Sequence, residues 1–260
     1  MNVDTEKEQR SDAPVVRLDH IRKEFGGIRA VEDFSLDLHT GEIVALVGDN
    51  GAGKSTIVKM IAGVHQPTSG SILIDGREVH FGNPLQAKEH GIEVVFQDLA
   101  LADQQPVYMN MFLGRELVKG PLRRLDRPRM IREAQALLSE LDINMKSPRG
   151  PIRALSGGQR QGVAIGRATH WAQRMVLMDE PTAALGVQET SRVEETILRM
   201  RARGLAILVI SHNLDQVFRI SDRVCVLRRG QQVGVRRTAE TDADEIVAMI
   251  TGARQGAERR

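Results

Sequence analysis

Nine residues, Gly48 to Thr56 (GDNGAGKST), set glycine, four free positions, glycine, lysine and a hydroxyl side chain at the spacing that cradles a polyphosphate. Gly48, Gly51 and Gly53 permit a tight backbone whose N–H groups converge on an anion, and a helix opening directly after them adds the partial positive charge of its N-terminus. Asp49, Asn50, Ala52 and Thr56 complete the cradle, Lys54 reaches the terminal phosphates, and Ser55 is placed to ligate Mg²⁺. The ligand that fits is ATP. Further on, Asp179 and Glu180 follow an apolar run, Met175 to Met178 (MVLM). Asp179 is suited to hold Mg²⁺ through water and Glu180 to polarise the attacking water, because ATP hydrolysis is mostly positioning and charge stabilisation. Two adjacent acids after a strand otherwise serve to cap the next helix.

Two more polar side chains sit at the ends of apolar runs. Gln97 follows Ile92 to Phe96, and His212 comes two residues after Leu205 to Ile210. Both are expected at the sheet edge where open α/β folds bind ligands, Gln97 sensing the γ-phosphate and joining the metal's ligands, His212 touching the γ-phosphate. A fourth candidate is Leu155 to Gln159 (LSGGQ), in which Ser156, Gly157 and Gly158 leave backbone N–H groups free at a second helix start. Having no lysine, this turn makes sense as a phosphate cradle only if it closes on a nucleotide held by another loop. An N-cap serine followed by flexible glycines is the plain structural alternative.

The elements that must position these residues are readable as short apolar runs. Ile43 to Val47 (IVALV), Ile92 to Phe96, Met175 to Met178 and Leu205 to Ile210 (LAILVI) have the continuous branched character of parallel strands covered on both faces, which predicts an α/β fold. Upstream, VVRLD and FSLDL between Val15 and His39 read as strands near Gly26 and Gly27. Phe25, just before this glycine pair, either stacks on an adenine ring or belongs to the core. Thr68 to Gly76 reads as a strand closed by an Asp-Gly turn, and Pro84 to His90 as a short helix.

Between Gln97 and Leu155 the chain changes character, with helical periodicity in Arg129 to Leu141 and loops at Lys119 to Pro128 and Lys146 to Arg153. This predicts a helical subdomain inserted into the sheet domain. Val107 to Leu113 (VYMNMFL) either meets a membrane partner or covers that subdomain's core. The helix after LSGGQ is expected to run through Arg167, with further helices near 188–203 and 242–250 and two short strands around Gly230.

Composition narrows the function. Lys and Arg number 36 against 34 acidic residues, and a formal charge of +2 gives no strong pull toward nucleic acid or an anionic membrane. Six Phe, one Tyr and one Trp leave little for a base-stacking platform, so no nucleic-acid partner is expected. The lone Cys225, within RVCVL, suits a buried structural thiol and a reducing compartment. No apolar run approaches the roughly 18 residues that cross a bilayer, and MNVDTEKEQRSDAP is polar rather than a signal peptide. Any work at a membrane must then go through a spanning partner.

Taken together, GDNGAGKST, Gln97, LSGGQ, MVLMDE and His212, in this order and spacing, resemble the ATP-binding subunit of an ABC transporter over about Val15 to Gly252. The resemblance implies a P-loop NTPase with a RecA-like core sheet, an N-terminal antiparallel β subdomain and a helical subdomain at about 98–168. On this view a polar tail at 1–14 and a basic tail at 253–260 flank a single ABC ATPase domain at 15–252. Two copies would face head to tail, so that Leu155, Ser156, Gly157, Gly158 and Gln159 of one complete the site begun by Gly48 to Thr56 of the other. Implied partners are a second ATPase subunit, transmembrane permease subunits and, through them, a substrate-binding protein, at the cytoplasmic face of the inner (plasma) membrane. The implied cofactors are ATP and Mg²⁺.

DEPTAALG with VALVGDNGAGKST is similar to the ribose, xylose and fructose type of bacterial carbohydrate importers, which implies ATP hydrolysis driving import of a monosaccharide. Three features depart from the family's common pattern. This chain has one cassette where such proteins often fuse two, Gly186 stands where many cassettes carry aspartate, and Gly162 and Gly166 replace bulkier residues after LSGGQ, loosening that helix or packing it closely. An exporter ATPase, or an ABC ATPase acting on DNA or ribosomes, shares the same motifs. Against the DNA class stands the lack of sustained heptads between Thr56 and Leu155.

Overall fold

The computed structural model describes residues 13–253 apart from 144, 146 and 184, so nearly all of the tails read at 1–14 and 253–260 lies outside the described residues. The first half of the chain runs β1 (Val16–Phe25), β2 (Ile28–Leu38), β3 (Ile43–Val47), α1 (Lys54–Ile61), β4 (Ser69–Ile74), β5 (Arg77–Val79), α2 (Pro84–Glu89), β6 (Ile92–Val95), α3 (Val107–Met111), β7 (Val118–Lys119), β8 (Arg124–Leu125) and α4 (Arg127–Glu140). The second half adds α5 (Gly157–Trp171), β9 (Met175–Asp179), α6 (Val187–Ala202), β10 (Ala206–Ile210), α7 (Leu214–Ile220), β11 (Arg223–Arg228), β12 (Gln231–Arg237) and α8 (Ala243–Thr251).

Ten strands form one curled mixed sheet in the order β5-β4-β1-β2-β12-β11-β3-β10-β9-β6. The fold is α/β, with β11, β3, β10, β9 and β6 mutually parallel and β5, β4, β1 and β2 antiparallel. Every residue of β3 and β10 is buried, which is why both read as unbroken apolar runs rather than alternating ones. β1 and β2 instead alternate, Val16, Leu18 and Ile21 facing inward between exposed polar residues. Asp75 and Gly76 both take positive φ, 49° and 74°, as the two-residue turn from β4 to β5 demands.

Apolar clusters cover both faces of the parallel strands. Leu46, Ile57, Ile61, Leu177 and Leu208 share one core, while Ile43, Ala164, Ile165, Val176, Ile197 and Val209 share another. α3, α4 and α5 enclose a separate cluster through Val107, Met111, Phe112, Met130, Leu138 and Val163. Phe112 is 1% exposed, edge-on to His170 and Trp171, so most of VYMNMFL packs inward. Leu113 does not, at 49% exposed. Cys225 is buried on β11, and burial pushes its thiol up to about 12. Among the described residues no helix is long and apolar enough to cross a membrane.

Two local expectations are corrected, and one open alternative is decided. α5 runs to Trp171 rather than Arg167, because Ala168 and Trp171 continue its packing on the two cores below it, Thr169 reaches Met200 and His170 meets the Phe112 ring. The loop read at Lys119 to Pro128 holds the β7–β8 hairpin and the first turn of α4, where Asp126 accepts the Arg129 N–H and Pro128 sits in the first turn. Gly162 and Gly166 pack closely: a Cβ at 162 would lie 3.1 Å from Ile143 Cδ1, and one at 166 would lie 3.3 Å from Leu141 Cδ1.

The starts of the parallel strands are clasped by charge. Asp222 Oδ2 accepts the Ile43 N–H at 2.9 Å, Arg201 donates to Asp222 Oδ1 at 2.6 Å, and Arg223 Nη2 donates to Glu42 Oε2 at 2.9 Å. Burial pushes the Glu42 carboxyl up, but Arg223 and His39 outweigh it, leaving Glu42 below its ordinary value of 4.5. A carboxylate depressed on folding stabilises fully above its unfolded value, and the contribution is lost as pH falls through the folded one. Glu42→Gln is therefore expected to cost about 2 kcal/mol near neutral pH, less than a fully buried pair because both partners keep some water. Its acid limb should also be flatter below pH 4.5. Urea titrations of both proteins across pH read this, and parallel pH profiles would remove the clasp from the stability account.

Candidate functional site

The turn after β3 is held from two sides by backbone. A Cβ at Gly48 would stand 2.1 Å from the Leu227 carbonyl oxygen, and one at Gly53 would stand 2.5 Å from that of Ala30, so neither position admits a side chain. The Gly230 N–H donates to the Ala52 carbonyl at 2.9 Å. Thus β11, β12 and the β1–β2 hairpin brace a loop whose Asp49, Asn50 and Gly51 stay exposed. Gly53 caps α1 without a side-chain bond, and Lys54 folds back to donate to the carbonyls of Gly48 at 2.6 Å and Asp49 at 2.9 Å. Ser55 and Thr56 occupy the first turn of α1.

β9 ends at Asp179, and Glu180 then takes a left-handed backbone, φ 53°, with its N–H donated to the Ile210 carbonyl of β10 at 3.0 Å. This bend turns the Glu180 carboxylate toward His212, whose Nδ1 lies 2.7 Å from Glu180 Oε2. His212 is 76% exposed at its side chain and Glu180 only 17%, so the pair has one wet and one sheltered end. Burial first, then the Glu180 charge, push the Asp179 carboxyl above its usual range, with Lys54 and Lys59 opposing. Lys54 feels the converse: burial lowers its ammonium, while Glu180, Asp179 and Asp49 pull it back up. Two carboxylates and a lysine share one partly desolvated space. Gln97 stands two residues past β6, exposed on the same edge of the sheet.

Leu155 to Gln159 lies elsewhere, heading α5 above the helical cluster. Ser156 Oγ accepts the Gln159 N–H at 3.2 Å and Gln159 Oε1 accepts the Ser156 N–H at 3.1 Å, a reciprocal capping box. Gly157 is exposed, and Leu155 packs against the helical core. A Cβ at Gly158 would meet Glu189 Cγ at 2.6 Å, and one at Gly186 would meet Glu189 Oε2 at 2.6 Å. At 158 the near atoms belong to the stem of Glu189, whereas at 186 the near atom is the tip of that side chain, which can swing aside. Among the described residues no hydrogen bond or ion pair joins Ser156, Gly157 or Gly158 to the Gly48–Thr56 loop. Phe25 is 42% exposed at the end of β1, its ring edge-on to His65 and 5.0 Å from Lys23 Nζ, which rules out the core alternative for it.

The family described as ABC transporter matches residues 31–183. The chain belongs to the ABC transporter family. A xylose/arabinose import ATP-binding protein of Sulfolobus acidocaldarius is 41% identical over 231 residues, 89% of this chain and 91% of the relative. A fructose import ATP-binding protein of Rhizobium meliloti is 42% identical over 248 residues, 93% and 95% of the two chains. A ribose import ATP-binding protein of Yersinia pestis is 42% identical over 92% of this chain but only 46% of its own length, so this chain spans about half of it. Among solved structures, a nucleotide-free ATP-binding cassette from an ABC transporter superposes with a TM-score of 0.78 at 25% identity, covering 91% and 95%. A cassette of an ABC transporter in its ADP conformation has the same TM-score, 0.78, at 25% identity over 92% and 96%.

As an ABC ATPase the chain binds ATP, and its sheet delivers the polar candidates from adjacent strand ends. Two contacts of this ABC cassette escaped sequence reasoning. Arg167 of α5 donates to the Leu99 and Ala100 carbonyls at 3.1 and 3.2 Å, fastening the segment after Gln97 to the helix that Ser156 caps. Gln216 of α7 is fully buried between the segments carrying Glu180 and His212. An arginine or a glutamine within a helix gives no sequence signal that it faces inward.

Proposed function

We propose that this chain is the ATP-hydrolysing subunit of an ABC importer for a monosaccharide. The observation that carries the chemistry is the Glu180–His212 pair, 2.7 Å apart at the sheet edge beside Lys54. The phosphates lie along Gly48 to Thr56, where Lys54 exchanges its two backbone carbonyls for the terminal phosphates. Glu180 polarises the attacking water, and His212, held by Glu180 and open to solvent, meets the γ-phosphate. Gln97 senses that phosphate from the neighbouring strand end, and Phe25 offers an exposed face for the adenine ring.

Mg²⁺ fits these residues. Asp179 is held above its range by burial and by Glu180, an excess of negative charge that a divalent cation relieves, and Ser55, Gln97 and Asp179 offer hard oxygen donors. Mg²⁺ keeps water and phosphate ligands, so few protein ligands suffice; among the described residues no cluster of three or more His, Cys, Asp or Glu stands ready for a metal. When bound, the ion would neutralise charge on the β- and γ-phosphates.

The turn at Leu155 to Gln159 completes the site of a second ATPase copy, consistent with the absence, among the described residues, of any hydrogen bond or ion pair from Ser156, Gly157 or Gly158 to the phosphate loop. The permease subunits dock in a groove of about 270 Å³ between the sheet and the helical cluster, lined by Val64, Ala87, Phe96, Leu113, Arg115 and Trp171. The exposed Leu113 and Val64 suit an apolar segment, and the Arg115–Glu93 ion pair, 2.7 Å long, forms its polar floor. The assembly places this chain peripherally at the cytoplasmic face of the plasma membrane, with a substrate-binding protein reached only through the permease.

The import reading draws on the relatives' sugar-import names. It is tested by purifying the native complex and measuring ATP-driven uptake into vesicles across a panel of monosaccharides. Uptake of one sugar is expected, abolished by Glu180→Gln. Recovery of the chain with ribosomes or chromatin, and not with membranes, would overturn it.

A further inference from the structure

Gln216 lies one turn beyond His212 on α7 and is completely buried. Its Oε1 accepts two hydroxyl bonds, from Ser211 Oγ at 2.9 Å and Thr182 Oγ1 at 3.1 Å. Thr182 stands two residues past Glu180, and Ser211 directly precedes His212, so a single amide oxygen joins the two segments that carry the pair. The bridge is itself fixed from below. Ser211 Oγ accepts the Asn213 N–H at 3.1 Å, and Asn213 Oδ1 accepts the Gln216 N–H at 3.1 Å, closing a ring of bonds around the residue that presents the imidazole.

The other end of the same amide is unusual. Gln216 Nε2 is buried and has no hydrogen-bond partner among the described residues. A buried donor left unpaired is costly, and an apolar side chain of similar size would avoid that cost. Leucine would remove that cost but would leave the Ser211 and Thr182 hydroxyls without this acceptor. What leucine lacks is the oxygen that holds Thr182 to Ser211.

We propose that Gln216 is a positioning residue for ATP hydrolysis, its amide oxygen tying Thr182 to Ser211 and so setting the distance between Glu180 and His212. The inference rests on the reading of Glu180 and His212 as the hydrolytic pair. Small displacements of such groups matter because catalysis here is mostly orientation. The phosphate loop is not part of the bridge, so ATP binding is unaffected.

The test is steady-state ATPase kinetics on the purified dimer, with thermal melting as a check on folding. Gln216→Leu is expected to lower kcat about tenfold with KM for ATP within about twofold, the split of an effect confined to the transition state. Gln216→Glu keeps an oxygen facing both hydroxyls and should restore kcat to within about threefold of the parent. Should Gln216→Leu not fold, Thr182→Val and Ser211→Ala each cut one half of the bridge and are expected to lower kcat with KM held. A parental kcat in Gln216→Leu, or in both of those single variants, would overturn the inference, as would a Gln216→Glu as slow as Gln216→Leu. Glu180→Gln run alongside separates the two readings: if it is dead while Gln216→Leu is parental, only the bridge fails, whereas if Glu180→Gln itself turns over normally, the hydrolytic pair is wrong.

Discussion

Glu180→Gln should bind ATP as the parent does and hydrolyse it about 10²–10⁴-fold more slowly, the usual worth of a positioned general base. The amide keeps the size of the side chain and can still meet His212 Nδ1, 2.7 Å away in the parent. Neither the strained backbone at φ 53° nor the bond from the Glu180 N–H to Ile210 depends on the carboxylate. What disappears is the charge that polarises water. Removing it also relieves Asp179, whose carboxyl is pushed up partly by Glu180, so ATP affinity is expected to hold or rise. The bound nucleotide then has no exit by hydrolysis, and dimers trapped on ATP should accumulate in size-exclusion runs. Turnover at the parental rate would strip Glu180 of its role.

Mixing two inactive proteins should restore ATP occlusion. Lys54→Ala removes the charge paired with the terminal phosphates and is expected to weaken ATP binding about tenfold or more, since charge-assisted bonds to phosphate are among the strong ones. Ser156→Arg blocks the turn at the head of α5 and breaks its capping box with Gln159, while the phosphate loop stays whole. If the turn serves a second copy across a two-fold axis, each homodimer is defective at both sites. A mixed dimer joins one good loop to one good turn and regenerates a single intact site. Occlusion is the right readout, because turnover can require both sites. If only the dimer is competent, specific activity of the parent should rise with protein concentration. No occlusion in a mixture that native mass spectrometry shows to contain mixed dimers would mean that Ser156 serves its own chain or no nucleotide.

The sheet was legible because a parallel strand covered on both faces has little choice of residue. IVALV, MVLM and LAILVI are buried throughout, and Gly48, Asp179 and Ser211 follow them directly at one edge of the sheet. The glycines of the phosphate loop were equally legible, though not their cause, since the carbonyls of Leu227 and Ala30 come from strands far off in sequence. Elements of two residues such as β7 and β8 carry too little pattern to read. Phe25 could not be decided from a single aromatic, and its exposure removes the core alternative. Gln216 was invisible because periodicity reports which face a residue takes and not which atoms it joins.

Cys225 is the one cysteine of the chain, sealed in β11 with its thiol pushed up to about 12. At neutral pH almost none of it is thiolate, and maleimides and disulfide reagents react with the thiolate. The natural protein is therefore already a silent background for site-specific labelling. A cysteine introduced at exposed Asn50 or Gly157 would be the only group to take up a fluorophore or spin label. Distances between two copies can then be followed through the ATP cycle without first rebuilding the core to remove a native sulfur.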